Sequence, residues 1–162
     1  MKEIKLINGK FTQVDDEDFE YLNQWRWSCK NKGTELYAQA RIGTKVIAMH
    51  RVIMKCSIGD GKIIDHKDMN GLNNQKSNLR FATKAQNNAN KKCQSNKVGG
   101  VVYLGVYRHI TKNIRKPDAV FYTARIRTKH LGSFKTQLDA AKAYNEAAKK
   151  YHGEFARLNP TE

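Results

Sequence analysis

No apolar run in the 162-residue chain extends beyond a few positions. A transmembrane helix is therefore excluded, because a span needs about 20 such residues. The opening MKEIKLINGK carries basic side chains but no apolar segment, so no secretory signal is read there and a cytoplasmic location is expected. Cysteine is scarce: Cys29, Cys56 and Cys93 are widely spaced and form no C-x-x-C pair. Such a set suits neither a disulfide framework nor a thiolate zinc site, and reads as reduced thiols filling space. Heptads and long apolar helices are also lacking, so nothing advertises a dimer interface and a monomer without an obligate protein partner is expected. Acidic residues are outnumbered, 15 against 30 Lys and Arg, for a net charge of +15.

That excess points to an anionic partner, nucleic acid before a membrane surface, with a merely soluble basic protein as the bland alternative. Residues 1–62 hold 11 basic and 8 acidic side chains, residues 63–98 hold 7 and 2, and residues 99–162 hold 12 and 5. The imbalance grows along the chain without collecting in a tail. In YLGVYRHITKNIRKPDAVFYTARIR the cations are interleaved with aromatics, as on a folded binding surface.

Three regions follow from the pattern. In residues 1–62, IKLI and KFTQV around Asn8-Gly9 predict a hairpin. DDEDFEYLNQW predicts a helix capped by Asp15 or Asp16, its acidic first turn suiting the dipole. YAQARI and KVIAM predict a strand pair around Gly43, and MHRVIMK a short helix; His50 within it reads as structural. Residues 63–92 predict strand IIDH, the turn-rich loop DMNGLNNQKS, strand LRFAT and a helix with Thr83 as N-cap. CQSNKVGG, residues 93–100, reads as a linker. In residues 101–162, VVYLGVYR, AVFYTARIR and KHLGSF predict three strands. TQLDAAKAYNEAAKKYHG predicts a helix with the capping-box pair Thr136 and Asp139 and a stripe through Ala140, Ala141, Tyr144, Ala147, Ala148 and Tyr151. Alternation places Val120, Tyr122, Ala124 and Ile126 on a face for that helix, and Phe121, Thr123, Arg125 and Arg127 on the opposite one. The fold class expected is α+β.

Asp65 and His66 carry the first chemical pattern. A carboxylate can hold a hard divalent cation, which neutralises a scissile phosphate. A neutral imidazole can take a proton from the attacking water at pH 7. Asn87, on the following helix, offers a neutral oxygen ligand. One carboxylate and one amide favour a single Mg²⁺ or Mn²⁺ over Zn²⁺. Neighbours on a regular strand point to opposite faces, so the pair shares a site only if the strand ends or twists there. The bland alternative is a polar loop with a surface Asp-His pair.

The run IIDHKDMNGLNNQKSNLRFATKAQNNANKK resembles the HNH endonuclease motif, the ββα-metal fold. D-H, N-G-x-N-N, N-L-R and T-x-x-Q-N-x-x-N stand in register. The resemblance implies His66 as general base, Asp65 as metal ligand, Asn78 as brace of the loop, and Asn87 as completion of the metal site. Asn at that last position, where other branches carry His, points to the branch found among phage homing endonucleases. GKFTQVDDEDFEYLNQWRW, YAQARI and MHRVIM resemble the segment that precedes the motif in the same group.

YLGVYR, YTARIR, LGSF, AAKAYNEAA and HGEFARLN, in that order, resemble the plant APETALA-two/ethylene-response-factor DNA-binding domain across residues 101–160. That family reads the major groove of double-stranded DNA with a three-stranded sheet. Arg125 and Arg127 fall at its contact positions. Tyr107, with Arg108 beside it, and Leu104 stand where plant members carry Arg, and His130 replaces the usual Trp, so the plant target sequence does not carry over.

The sequence therefore reads as a site-directed DNA endonuclease of homing type, with a cutter in residues 1–92 and a reader in residues 101–162. One Asp-His-Asn-Asn set predicts nicking of one strand. The competing readings are a non-catalytic DNA-binding regulator with an inactive HNH relic, and an RNA-binding protein using Phe121 on the arginine face.

Overall fold

The computed structural model describes residues 1–33, 35–90, 103–111 and 119–161. The 93–100 linker, Cys93, and the turn segment 112–118 lie outside the described residues. The chain divides into two units, Met1–Asn88 and Ala89–Glu162. Each mixes helices with small antiparallel sheets, an α+β construction. Among the described residues, no helix is long and apolar enough to cross a membrane.

In the first unit, β1 (Lys2–Lys5) and β2 (Phe11–Val14) pair antiparallel. Alternation sends Ile4, Thr12 and Val14 inward. Helix α1 (Asp16–Asn23) follows with three acids in its first turn. Asp15 stands at its N-cap but makes no capping bond. Its carboxylate accepts instead from the Lys76 backbone N–H at 2.8 Å and from Gln75 Nε2 at 3.4 Å. The Asp18 N–H of the first turn bonds the Asp15 carbonyl, the three first-turn acids complement the dipole, and the Asp15 side chain serves a distant loop.

Strands β3 (Ser28–Lys32), β4 (Glu35–Ile42) and β5 (Lys45–Ala48) form a meander that leads into α2 (Met49–Ile53). The sequence pattern does not reveal β3, because SCKNK has no apolar alternation. Its pairing partner β4 imposes the strand. Trp27, Leu22, Met49, Val14 and Leu79 meet in one core. The Trp27 indole N–H reaches the Leu22 carbonyl at 2.7 Å, which satisfies its only polar atom in the interior. Strands β6 (Ile63–His66) and β7 (Leu79–Ala82), then α3 (Lys84–Asn90), complete the ββα order. Thr83 and Gln86 cap α3 reciprocally: the Thr83 N–H donates to Gln86 Oε1 at 2.8 Å, and the Gln86 N–H to Thr83 Oγ1 at 3.2 Å.

The second unit has β8 (Val106–Thr111), β9 (Ala119–Ile126) and β10 (Lys129–Phe134) in the order β10-β9-β8, with α4 (Gln137–His152) packed on one face. Thr136 caps α4 by accepting from the Asp139 N–H. The alanine stripe holds through Ala140, Ala141 and Ala148, which are fully buried. It stops before Tyr151, which is exposed and bonds Lys129. Asn145 is buried instead: its amide binds both backbone groups of Asn159, whose own amide binds both backbone groups of Leu104. Small residues bring α4 so close that a Cβ at Gly105 would overlap the Tyr144 ring and the Arg125 carbonyl. Gly105 also has φ +70°, so glycine is required there on both counts.

Candidate active site and reading sheet

Strand β6 ends at His66, and the chain turns at Met69 with φ +60°. Asp65 pairs across the ladder with Arg80, and His66 with Leu79. Both side chains are 5% exposed. They face different partners, as neighbours on a strand must. Asp65 Oδ2 accepts from Arg80 Nε at 2.9 Å and Nη2 at 2.8 Å. His66 Nε2 lies 3.3 Å from Asn74 Oδ1. Its ring stands 5.2 Å from that of His50, edge-on, and 5.7 Å from that of Tyr37. Burial holds the His66 imidazole below its usual pKa, against the opposing pull of Asn74, Asp68, Asp65 and Glu35. A neutral ring at pH 7 follows.

The 67–78 loop pairs its backbone partly through turn and bridge bonds and partly through its own side chains. Asn78 Nδ2 donates to Asp68 Oδ1 at 2.9 Å and to the Asn73 carbonyl at 2.8 Å, while its Oδ1 accepts from the Asp68 N–H. Asp68 also accepts from the Asn70 N–H and Asn73 Nδ2. Burial opposes ionisation of Asp68, but these donors prevail and lower its pKa. Strand β2 holds the loop from outside: the Gln13 N–H donates to the Leu72 carbonyl, and the Asn74 N–H to the Gln13 carbonyl. Gly71 has an ordinary φ; it is glycine because a Cβ would strike the Leu36 carbonyl and the Tyr37 ring.

Asn87 sits half-buried on α3, its N–H bonded to the Thr83 carbonyl. Among the described residues its amide makes no hydrogen bond to Asp65, His66 or Asn78. No cluster of three or more His, Cys, Asp or Glu able to hold a metal occurs among them either. Asp65 and Asn87, the two expected ligands, both present oxygen atoms, the donor type that a hard divalent cation accepts.

Sequence reasoning set His50 aside and did not single out Tyr37, Asn74, Thr12 or Arg80. The structure brings His50, Tyr37 and Asn74 against the His66 ring. Only N-G-x-N-N and N-L-R, which contain Asn74 and Arg80, carried any signal for them.

A profile of the HNH endonuclease family matches residues 48–89. An uncharacterized HNH endonuclease of Acanthamoeba polyphaga mimivirus is 32% identical over 157 residues, spanning 93% of this chain and 75% of that protein. This chain belongs to the HNH endonuclease family. No solved structure matches it. The family segment begins just before His50 and ends within α3, so it includes the β6–loop–β7 frame, while Thr12 and Gln13 of β2 and Asp15, Glu17 and Asp18 bind the loop from outside it.

On the second unit of this HNH protein, register places Tyr107, Phe121, Thr123, Arg125 and His130 on the face away from α4. The Arg125 guanidinium lies 5.9 Å from the centre of the Tyr107 ring, and His130 is the cross-strand partner of Arg125. His109, another residue the sequence reading passed over, stacks on Phe121 at 5.0 Å and bonds Thr123 Oγ1 at 2.9 Å. Arg108 pairs with Tyr122 and stands on the α4 side. Arg127 belongs to neither face: it occupies the tight β9–β10 turn at φ +52°.

Proposed function

We propose that this HNH endonuclease is a site-directed DNA endonuclease of homing type that nicks one strand of a duplex, acting as a monomer. The observation that carries the reading is the buried His66 at the end of β6, next in the chain to the Asp65 carboxylate. His66 accepts the proton of the attacking water. Asp65 and Asn87 would hold one divalent cation, Mg²⁺ or Mn²⁺, which when bound neutralises the scissile phosphate and stabilises the leaving oxygen. Asn78 keeps the loop at the height that presents both side chains. Reading falls to the sheet of the second unit, through an ethylene-response-factor-like use of Tyr107, Arg125 and His130 toward base edges and of Arg127 at the turn. Arg108, on the other side of β8, suits a phosphate contact.

One observation favours the competing non-catalytic regulator: the Arg80 guanidinium already engages Asp65 Oδ2. Supercoiled plasmid decides between them. The endonuclease reading expects open-circular DNA to accumulate before linear product, only with Mg²⁺ or Mn²⁺, and to be lost in Asp65→Asn and His66→Gln while duplex binding persists. Undiminished cutting by either variant removes the assigned chemistry. Binding without metal-dependent nicking establishes the regulator.

A further inference from the structure

We infer that Thr12 and Asn74 are positioning residues that fix the tautomer of His66, with the ring proton on Nε2 and the lone pair on Nδ1. The inference rests on the reading of His66 as general base, but its geometry stands independently. Thr12 and Asn74 are both fully buried, and His66 nearly so. Each polar atom there must find a partner or cost about 1–3 kcal/mol.

The assignment runs outward from a group whose role is fixed. The Leu72 carbonyl can only accept, and Thr12 Oγ1 lies 2.7 Å from it. The single Thr12 hydroxyl proton is thereby committed, and Oγ1 can only accept from anything else. Asn74 presents an amide atom to that Oγ1 at 2.8 Å and to the Gly71 carbonyl at 3.4 Å. Both neighbours are acceptors, so the atom between them is the NH₂ group. The other end of the amide is then the oxygen, and it faces His66 Nε2 at 3.3 Å. An oxygen there can only accept. A neutral ring must therefore carry its proton on Nε2, and the basic atom is Nδ1.

Four residues from three places in the chain make this relay: β2 supplies Thr12, the loop supplies Leu72 and Asn74, and β6 supplies His66. It also gives the buried threonine of β2 a purpose that core packing does not explain, since Val would fill the same volume without a hydroxyl to satisfy.

The test is ¹⁵N NMR of the histidine rings in the metal-free full-length chain, with the His66 signals among the five histidines assigned by their loss in His66→Gln. The wild-type ring is expected as the Nε2–H tautomer. Thr12→Val removes the hydroxyl and frees the Asn74 amide to turn over, so a substantial Nδ1–H population is expected, with nicking reduced at least tenfold. Thr12→Ser restores the hydroxyl and is expected to restore both. If Thr12→Val does not fold, Asn74→Asp takes its place: a carboxylate still accepts from the ring, so the Nε2–H tautomer is expected to persist, and Asn74→Leu is expected to lose it. A wild-type Nδ1–H tautomer, or a tautomer unmoved by Thr12→Val or Asn74→Leu, overturns the relay. A tautomer shift with full nicking leaves the relay standing and removes His66 as the base.

Discussion

Replacing Arg80 by Met tests how Asp65 is held. The pair is buried, with 10% of the arginine and 6% of the aspartate side chain exposed. Two charge-assisted bonds, at 2.9 and 2.8 Å, converge on Oδ2. Each bond to a charged group is worth about 1.5–3 kcal/mol. Losing one partner of a buried pair costs about 3–5 kcal/mol, because the remaining charge stays buried without that ion partner. We expect Arg80→Met to lose that amount, a third or more of the stability of a small unit. Asp65→Asn in the same chain removes the buried charge, so the double variant should recover about 2–3 kcal/mol. Both tryptophans, Trp25 and Trp27, lie in the first unit, so urea unfolding followed by tryptophan fluorescence reports on that unit alone. A cost below about 1 kcal/mol for Arg80→Met would show that the pair behaves like a solvated surface bridge, and the account of Asp65 as a held carboxylate would fall.

Asp68 has its pKa lowered in the folded chain, so its contribution to stability is complete above the unfolded carboxylate value of about 3.9 and is lost as pH falls through the lower folded value; Asp68→Asn should flatten that acid limb in unfolding curves taken at successive pH values. Arg127→Gly relieves a left-handed arginine at a strain of about 1–2 kcal/mol, part of it offset by glycine's unfolded-state entropy. The variant should melt higher by circular dichroism yet bind duplex DNA more weakly in gel shifts, and unchanged affinity would show that the turn does not meet DNA. Affinity of the full chain should drop about 10³–10⁵-fold between 50 and 200 mM salt if 6–10 phosphates are contacted; a flat titration in fluorescence anisotropy would refute the electrostatic argument.

The elements legible in the sequence are those whose signal is local. Apolar alternation in β9, the capping box and alanine stripe of α4, and the Gly43 turn between β4 and β5 all depend on neighbours in the chain. Strand β3 was not legible because its five residues are polar and its strand conformation comes from β4. Asp15 sits where a cap belongs, yet it bonds a loop 60 residues away, a choice no window of sequence contains. The same is true of Arg108, whose side of the sheet is set by register. In the candidate site, Asp65, His66, Asn78 and Asn87 stood out because their chemistry and spacing form a motif. Thr12, Tyr37 and His50 did not, because they come from other elements, Tyr37 and His50 against the His66 ring and Thr12 against Asn74. Gly71 was legible as part of the motif but not its cause: the glycine answers to the Tyr37 ring behind it rather than to its own backbone angle.

The abundance of asparagine in the 67–78 loop has a physical reason that the motif alone does not give. A chain segment outside a ladder must still pair its buried backbone groups. A side chain that carries both a donor and an acceptor can serve a backbone N–H and a carbonyl at once. Asn78 does so, accepting from the Asp68 N–H while donating to the Asn73 carbonyl. Asn70 adds a turn bond to the Leu72 N–H. Aspartate could match the acceptor half only, and would add negative charge near Asp65, where the proposed reaction brings a phosphate. The one carboxylate the loop does contain, Asp68, is surrounded by donors from Asn70, Asn73 and Asn78 and is spent on the frame. Amides thus let the loop pair its backbone without becoming anionic, and leave Asp65 as the buried carboxylate of β6, where the proposed chemistry calls for one.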